Sequence, residues 1–243
     1  MQSPTRLSSA NALAAPGQVL DSFLRADDAY SLLRETRVDW VHGRLLEAPP
    51  QVVELLKKVG GLGEADRALT ASGLRLLGRL QIDLELAARS SSVLSERFEI
   101  LDVIGKGSTS VALKAVNKRV GRTVVLKMLR PIRPETIEAA IERLGTLDGI
   151  PHLVAPIDSY TIDTTSSAED SVRLYCIVFP FVSAITLDEY LRHRAPVTPF
   201  FFEAFIQQVG GVLEELEARA MPHGDLHGAN ILVSSEDPTL AGC

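Results

Sequence analysis

The chain has 243 residues, of which 46% are hydrophobic and 23% are charged, and this balance excludes a disordered protein. Its formal net charge of −6 argues against nucleic acid as a partner, because nucleic-acid-binding proteins are usually basic. Two cysteines without metal-ligand spacing exclude a disulfide framework and indicate a reducing, cytoplasmic compartment. The longest mostly apolar run, residues 174–187, is shorter than the roughly 20 residues of a membrane span, so no membrane association is expected.

Residues 1–95 have the pattern of a helical region. Apolar residues at three- and four-residue spacing form two stripes, and pairs of proline and glycine interrupt them. Three consecutive serines, residues 90–92, predict a linker to the next region. We therefore expect an all-helical N-terminal region of unknown function. The stripes consist of Val52, Val53, Leu55, Leu56 and Val59, and of Leu69, Leu76, Leu77, Leu80 and Leu84.

The periodicity changes after residue 95. Short runs rich in Val, Ile and Leu predict five β-strands, and a helix over 133–147 is inserted after the third. Thr186 and Glu189 form a capping box that begins a short helix, and Thr198-Pro199 begins a longer one. Strands followed by helices predict an α+β fold whose two parts meet near Val182. The predicted strands lie within 98–105, 109–116, 122–129, 152–162 and 172–181.

Two glycines, Gly105 and Gly107, lie between the first two predicted strands. Glycine lets backbone N–H groups approach phosphate oxygens because no Cβ intervenes, although the pair also fits an ordinary hairpin turn. A strand follows the glycines, whereas a dinucleotide-binding fold would require a helix. Further along, Lys127 lies at the end of an apolar strand. Its ammonium group either extends into water or is directed at phosphates.

The segment HGDLHGANILV, residues 223–233, has the strongest chemical signal of the chain. Asp225 and Asn230 are placed in a loop after a predicted helix and before an apolar run. A carboxylate there can accept the proton of an attacking hydroxyl, and an amide oxygen can ligate Mg²⁺. The alternative is a polar turn in which Asp and Asn have ordinary turn roles.

Together, the glycine pair, Lys127, the inserted helix and the 223–233 loop resemble protein kinases of the Ser/Thr type, from about residue 97 to the end of the chain. The resemblance implies a protein-kinase-like domain over 96–243. Its small lobe is expected to be a five-stranded antiparallel sheet over about 96–182, and 183–243 would be the first helices of the large lobe. It also implies ATP and Mg²⁺ as cofactors, and a protein or small-molecule hydroxyl as the substrate.

The resemblance further assigns roles to individual residues. Asp225 is the expected catalytic base, Lys127 the residue that holds the α- and β-phosphates, and Asn230 a magnesium ligand. The backbone of residues 179–182 is expected to hydrogen-bond adenine. The expected cofactor-binding residues are Ile104, Gly105, Lys106, Gly107, Ser108, Thr109, Ser110, Val111, Ala112, Val125, Lys127, Phe181 and Val182.

Two pairs of positions differ from the family pattern. Gly224 and His227 replace the usual arginine and lysine, and the loop is equally similar to kinases of aminoglycosides and other small molecules. Ala112 and Val125 replace the family's valine and alanine, so their volumes are exchanged and the adenine slot is expected to keep its total size.

The helix glutamate that pairs with the strand lysine in the family has no clear equivalent. Alignment on the leucines of the predicted helix puts Ala140 at that place, and Glu138 and Glu142 are the nearest carboxylates. Both are expected to point away from the apolar side of the helix. A shifted register and a lost ion pair are both compatible with the sequence.

Residues 234–243 contain no Asp-Phe-Gly, the triplet whose aspartate holds magnesium in the family. We therefore expect a truncated kinase-like domain with weak or no catalysis by itself. Truncation would leave Phe201, Phe205 and Val212 without core partners, and a protein partner is expected to cover that apolar face. Three functions stay open: a Ser/Thr protein-kinase-like phosphotransferase, a small-molecule kinase, and a catalytically inactive pseudokinase or interaction module.

Overall fold

The computed structural model of the chain describes residues 15–26, 28–39, 41–63, 67–131, 134–165, 171–193 and 197–234. The residues divide into two compact units, of which the first runs to Asp83 and also includes Lys106–Ser110. The second consists of Leu84–Gly105 and the residues from Val111 onward. Among the described residues, no helix combines the length and apolar character that crossing a membrane requires.

The first unit contains a β-hairpin as well as helices, which corrects the prediction of an all-helical region. The hairpin pairs Val38 with Leu45, and Leu45 is buried in the core of this unit. Its turn is stabilised by the Asp39 carboxylate, which accepts hydrogen bonds from the backbone of Val41 and His42. The elements are α1 (Pro16–Leu24), α2 (Ala29–Glu35), β1 (Arg37–Asp39), β2 (Arg44–Glu47), α3 (Pro50–Lys58) and α4 (Ala71–Leu80).

The core of the first unit is built by the apolar stripes that the sequence predicts. Val52, Leu56 and Leu77 are fully buried and belong to one cluster. Helix α4 begins at Thr70, whose hydroxyl accepts a hydrogen bond from the backbone N–H of Gly73 at 3.1 Å. This bond satisfies one of the N–H groups that lack a partner inside the helix.

The second unit begins at Leu84 and therefore includes two helices that precede the predicted domain start at residue 96. Helix α5 (Leu84–Ser90) contacts strand β5 (Thr123–Leu129), and the side chains of Leu84, Ala88 and Leu94 are buried. Ser91, predicted to lie in a linker, instead caps α6 by accepting from the N–H of Leu94. The domain boundary at residue 96 stays a prediction. These helices are α5 (Leu84–Ser90) and α6 (Ser92–Arg97).

The second unit is built around a five-stranded antiparallel sheet in the order β3-β4-β5-β7-β6. Five strands with one helix after the third confirm the predicted α+β arrangement. In β4 and β5 buried residues alternate with half-buried ones, as expected for strands with two different faces. The elements are β3 (Phe98–Lys106), β4 (Ser110–Asn117), β5 (Thr123–Leu129), α7 (Pro134–Leu144), β6 (Asp158–Thr165) and β7 (Ser171–Pro180).

The helices after the sheet begin where the sequence predicts. The backbone of Glu189 donates to the Thr186 hydroxyl at 3.2 Å, and its carboxylate accepts from the Thr186 backbone at 2.9 Å, so the capping box is present. The backbone N–H and the hydroxyl of Thr186 both donate to the Glu189 carboxylate, and these two bonds lower its pKa. Thr198 caps the next helix by accepting from the N–H of Phe201. The remaining elements are β8 (Ala184–Thr186), α8 (Leu187–His193), α9 (Pro199–Ala218), a 3-10 turn (Gly228–Asn230) and β9 (Leu232–Ser234).

The apolar residues of α9 correct one prediction. Phe201, expected to lack core partners, is only 5% exposed and stacks on Tyr190 with ring centroids 4.6 Å apart. Phe205 packs against the same cluster, and Val212 packs on a cluster that contains Leu216. The exposed apolar side chains of this helix are instead Phe200, Phe202, Ile206 and Leu213.

Candidate active site

Asp225, His227 and Asn230 form a hydrogen-bonded group in the loop between α9 and β9. The Asn230 amide nitrogen donates to the Asp225 carbonyl at 2.9 Å and to the Asp225 carboxylate at 3.0 Å. The same nitrogen lies 2.9 Å from Nε2 of His227. The side chains of Asp225 and His227 are 64% and 51% exposed, so a molecule in solvent can reach both. The structure therefore brings the predicted base and the predicted metal ligand together.

Neighbouring elements of the same unit hold this loop in place. Strand β9 pairs with β8, and the backbone of Leu187 donates to the carbonyl of Ile231 at 2.8 Å. The Asp188 carboxylate lies so close to Gly228 that a Cβ there would fall 1.9 Å from its Oδ1. An alanine at position 228 would therefore force the exposed Asp188 side chain into another rotamer, a constraint that the sequence motif alone does not reveal.

Asn230 has one atom available for a cation. Its nitrogen is used within the loop, while its amide oxygen accepts no hydrogen bond from a described residue. No group of three His, Cys, Asp or Glu side chains in the described ranges could hold a metal by itself. Mg²⁺ is commonly held by one or two protein oxygens together with substrate phosphates and water, so this single oxygen donor fits such a shared site.

Lys127 lies on the half-buried face of β5. Side chains alternate along a strand, so Lys127 shares this face with Val125 and Leu129. Its direct neighbour across the antiparallel pair with β7 is Ile177. No ion pair joins Lys127 to a carboxylate among the described residues. Neither Ala140 nor Glu142 is buried, and Glu138 forms its contacts with β7 instead.

The tip of the glycine-containing loop, residues 106–110, groups with the first unit. The backbone of Gly107 donates to the Ser110 carbonyl at 2.9 Å, which closes the turn. The Ser108 hydroxyl donates to the carbonyl of Leu24 at 2.5 Å, a contact that sequence reasoning did not anticipate. Lys106 and Thr109 are exposed.

Neither glycine of this loop is required by the fold itself. A Cβ at Gly105 would lie 3.7 Å from the Cβ of Ala112, and one at Gly107 would lie 3.7 Å from the carbonyl of Ser110, both ordinary contact distances. Ile104 is 48% exposed beside them. Glycine is therefore present where an alanine would fit, which is understandable if another molecule approaches the backbone closely.

The predicted hinge is half-buried at Phe181 and Val182, and the backbone of Phe181 donates to the Thr123 carbonyl. The Lys114 ammonium lies 4.4 Å from the centre of the Phe181 ring, a cation–π contact. Lys114 was not predicted, but it lies two residues from Ala112 and so on the same face of β4.

Among the predicted cofactor-binding residues, Val111 differs from its neighbours. Its side chain is 3% exposed and lies on the opposite face of β4 from Ala112. Only its backbone is available to a bound molecule. Of residues 234–243, which contain no Asp-Phe-Gly, only Ser234 belongs to the described residues.

The comparisons with known proteins match the same part of the chain. The model of the protein kinase domain family matches residues 98–241. Similar curated proteins include a probable serine/threonine-protein kinase of Dictyostelium discoideum, 22% identical over 146 residues that cover 60% of this chain and 22% of that protein. Serine/threonine-protein kinase PknD of Mycobacterium tuberculosis is 25% identical over 145 residues, with 58% and 20% covered. The liver/testis phosphorylase b kinase gamma catalytic chain of Homo sapiens is 25% identical over 149 residues, with 57% and 34% covered.

Among solved structures, the chain is similar to that of Rad53 residues 1–466 in complex with AMP-PNP. The TM-score is 0.48 at 19% identity, and the match covers 71% of this chain and 42% of that one. The chain spans about a fifth to a third of the length of the curated relatives named above. The family match confirms the predicted protein-kinase-like family, and the observed five-stranded sheet followed by helices confirms the predicted fold class. Because the family match covers more than half of its residues, this chain belongs to the protein kinase domain family.

Proposed function

We propose that this chain is an ATP-dependent phosphotransferase that moves the γ-phosphoryl group to the hydroxyl of a Ser or Thr side chain. The observation that carries the proposal is the double hydrogen bond from Asn230 to Asp225. It fixes an exposed carboxylate beside an amide oxygen that is open to a cation. A hydroxyl proton and a phosphate-bound Mg²⁺ need these two acceptors side by side.

In the proposed reaction, the Asp225 carboxylate accepts the proton of the substrate hydroxyl. The oxygen then bonds to the γ-phosphorus, the bond from that phosphorus to the bridging oxygen breaks, and ADP leaves with the electron pair. Lys127 neutralises charge on the α- and β-phosphates, and the Asn230 amide oxygen would hold a Mg²⁺ ion that would supply further positive charge there. Phosphoryl transfer depends mainly on such positioning and charge neutralisation.

The loop of residues 104–112 is proposed to bind phosphates through its backbone N–H groups. Support comes from the glycines, at positions where the fold would accept alanine. The adenine ring is assigned to the side of the sheet that carries Ala112 and Val125, next to the backbone of Phe181 and Val182. These four residues are half-buried, and Val125 pairs with Phe179, two residues before Phe181.

The first test is calorimetric titration of the purified chain with ATP, with and without Mg²⁺, beside Lys127→Ala. We expect the variant to bind ATP about tenfold to a hundredfold more weakly, since a hydrogen bond to a charged group contributes about 1.5–3 kcal/mol. Lys118→Ala is the matched control, because Lys118 bonds the Ser95 carbonyl and is assigned no role. Absence of ATP binding by the folded wild-type chain would contradict the proposal.

A small-molecule kinase is a second candidate, and His227 favours it. The His227 ring lies against Asn230, at the place where Ser/Thr kinases usually have a lysine. ADP release in the presence of an aminoglycoside, compared with a Ser/Thr-rich protein, separates the two acceptors. Turnover with the aminoglycoside alone would move the assignment to this candidate.

An inactive pseudokinase or interaction module is the third candidate. It is favoured by Lys127, which has no carboxylate partner among the described residues, and by Glu138, which is engaged elsewhere. In this case ATP binds without transfer, and a protein partner is assigned to the exposed apolar side of α9. That side is formed by Phe202, Ile206 and Leu213.

A further inference from the structure

Helix α7 is joined to the sheet by a polar contact centred on Glu138. The Tyr175 hydroxyl on β7 donates to Oε1 of Glu138 at 2.6 Å. The guanidinium of Arg173 lies 3.6 Å from the same oxygen and 3.6 Å from the carboxylate of Asp163 on β6. One carboxylate thus links the inserted helix to the central part of the sheet.

The contact lies on the same face of the sheet as Lys127. Residues paired directly across antiparallel strands project to the same side, and side chains alternate along each strand. Lys127 pairs with Ile177, and Leu129 pairs with Tyr175, so both pairs project to one side. The two pairs are about 7 Å apart along the strands. Glu138 therefore reaches the lysine-bearing face of the sheet, but two residues beyond the lysine.

Tyr175 is the more specific of the two partners of Glu138. It is 3% exposed, and burial, followed by its hydrogen bond to Glu138, raises the pKa of its hydroxyl. The hydroxyl therefore keeps its proton and donates at neutral pH. The Arg173 and Glu138 side chains are 57% and 52% exposed, and exposed ion pairs contribute little to stability.

We propose that Tyr175 is the positioning residue of helix α7 and acts through Glu138, without help from Lys127. The buried ring fixes the hydroxyl, the hydroxyl fixes the carboxylate, and the carboxylate fixes the helix against β7. Lys127 is then left to bind phosphates alone. That consequence rests on the proposed function, whereas the positioning of α7 does not.

The test is amide hydrogen exchange across residues 137–144 of the full chain, without nucleotide. Tyr175→Phe keeps the ring and removes only the hydroxyl, and Glu138→Ala removes the acceptor. Each is expected to speed exchange about fivefold, the effect of losing a hydrogen bond of about 1 kcal/mol. Because both substitutions break the same bond, the double variant should exchange no faster than the faster single one. Glu142→Ala is the matched control on the same helix and should leave exchange unchanged.

Two further variants separate the alternatives. Glu138→Gln keeps an acceptor for Tyr175 but loses the charge that attracts Arg173, so exchange should stay within about twofold of wild type. Lys127→Ala should leave exchange in α7 unchanged. Faster exchange in Lys127→Ala with none in Tyr175→Phe would overturn the proposal, since the helix would then depend on the lysine.

The exchange experiment can succeed or fail independently of the phosphotransferase proposal. If Tyr175→Phe speeds exchange in α7 while the wild-type chain fails to bind ATP, the positioning role stands and the phosphotransferase proposal fails. If Tyr175→Phe does not fold, Glu138→Ala still decides: unchanged exchange in that variant refutes the role of the Glu138–Tyr175 bond.

Discussion

Two parts of the candidate site differ in how their polar groups find partners. In the loop of residues 223–230, Asn230 bonds Asp225 and His227, which are five and three positions away. At the sheet, Glu138 bonds Tyr175, which is 37 positions away, and Lys127 has no carboxylate partner among the described residues. The loop is held by bonds between near neighbours in the sequence, whereas the contact between helix and sheet joins residues that are far apart in it.

The difference shows where a fold can vary without losing its chemistry. A hydrogen-bonded group within a few positions is fixed by local backbone geometry and tolerates changes elsewhere. A partnership across the fold depends on the register of a helix, and a shift of one turn exchanges the partner. Variants of each part therefore test two things: whether the shape of the loop depends only on its own residues, and which contact holds helix α7 against the sheet.

The largest effect is expected at the loop, from Asp225→Asn. The amide cannot accept the hydroxyl proton as a carboxylate does, so phosphoryl transfer should fall by about a hundredfold or more. ATP affinity should change little, because Asp225 is assigned to the hydroxyl rather than to the nucleotide. Steady-state transfer assays beside calorimetry measure both quantities. Asp148→Asn, an exposed carboxylate away from the loop, is the control. Unchanged transfer by Asp225→Asn would remove Asp225 as the base.

A smaller effect is expected from Gly228→Ala, which tests whether the loop is as independent as the comparison suggests. The new Cβ would fall 1.9 Å from Oδ1 of Asp188. Because Oδ1 is the free end of an exposed side chain, a new rotamer of Asp188 relieves the clash, and the free energy of unfolding should fall by about 0.5–1.5 kcal/mol. Asp188→Ala in the same chain removes the obstruction and should recover most of the loss in urea unfolding.

Gly211→Ala is the control for this substitution, because nothing lies within 4 Å of a Cβ at that position in α9. Alanine there should be neutral or stabilising by up to about 1 kcal/mol. If Gly228→Ala is equally neutral, the Asp188 side chain moves aside without lowering the free energy of unfolding. The shape of the loop is then set by its own residues.

The smallest effect is expected on the sheet side, at Ala112 and Val125. If their volumes are exchanged relative to the family, Ala112→Val alone overfills the adenine slot and Val125→Ala alone leaves a gap. Each should weaken ATP binding by about tenfold or less, the effect of a methylene in an apolar pocket. The double variant should restore the affinity measured by calorimetry. Unchanged affinity in both single variants would contradict the hypothesis.

The sequence was sufficient for features that depend on near neighbours. The capping box at Thr186 and Glu189 and the cap at Thr198 were predicted and are present, since each needs only residues three positions apart. The five strands with their inserted helix follow from periodicity. The pairing of Asp225 with Asn230 could be predicted for the same reason, since these residues are only five positions apart.

The sequence by itself determined the family, the order of strands and helices, and the loop that carries the candidate base. Only the tertiary structure decided that Tyr175 holds Glu138, that Phe201 is covered by Tyr190, and that the sheet packs with helices from Leu84 onward. The physical reason is how far apart the interacting residues lie in the sequence. Helix caps and side-chain alternation are set by residues a few positions apart, whereas burial and long-range hydrogen bonds depend on which surfaces meet once the chain has folded.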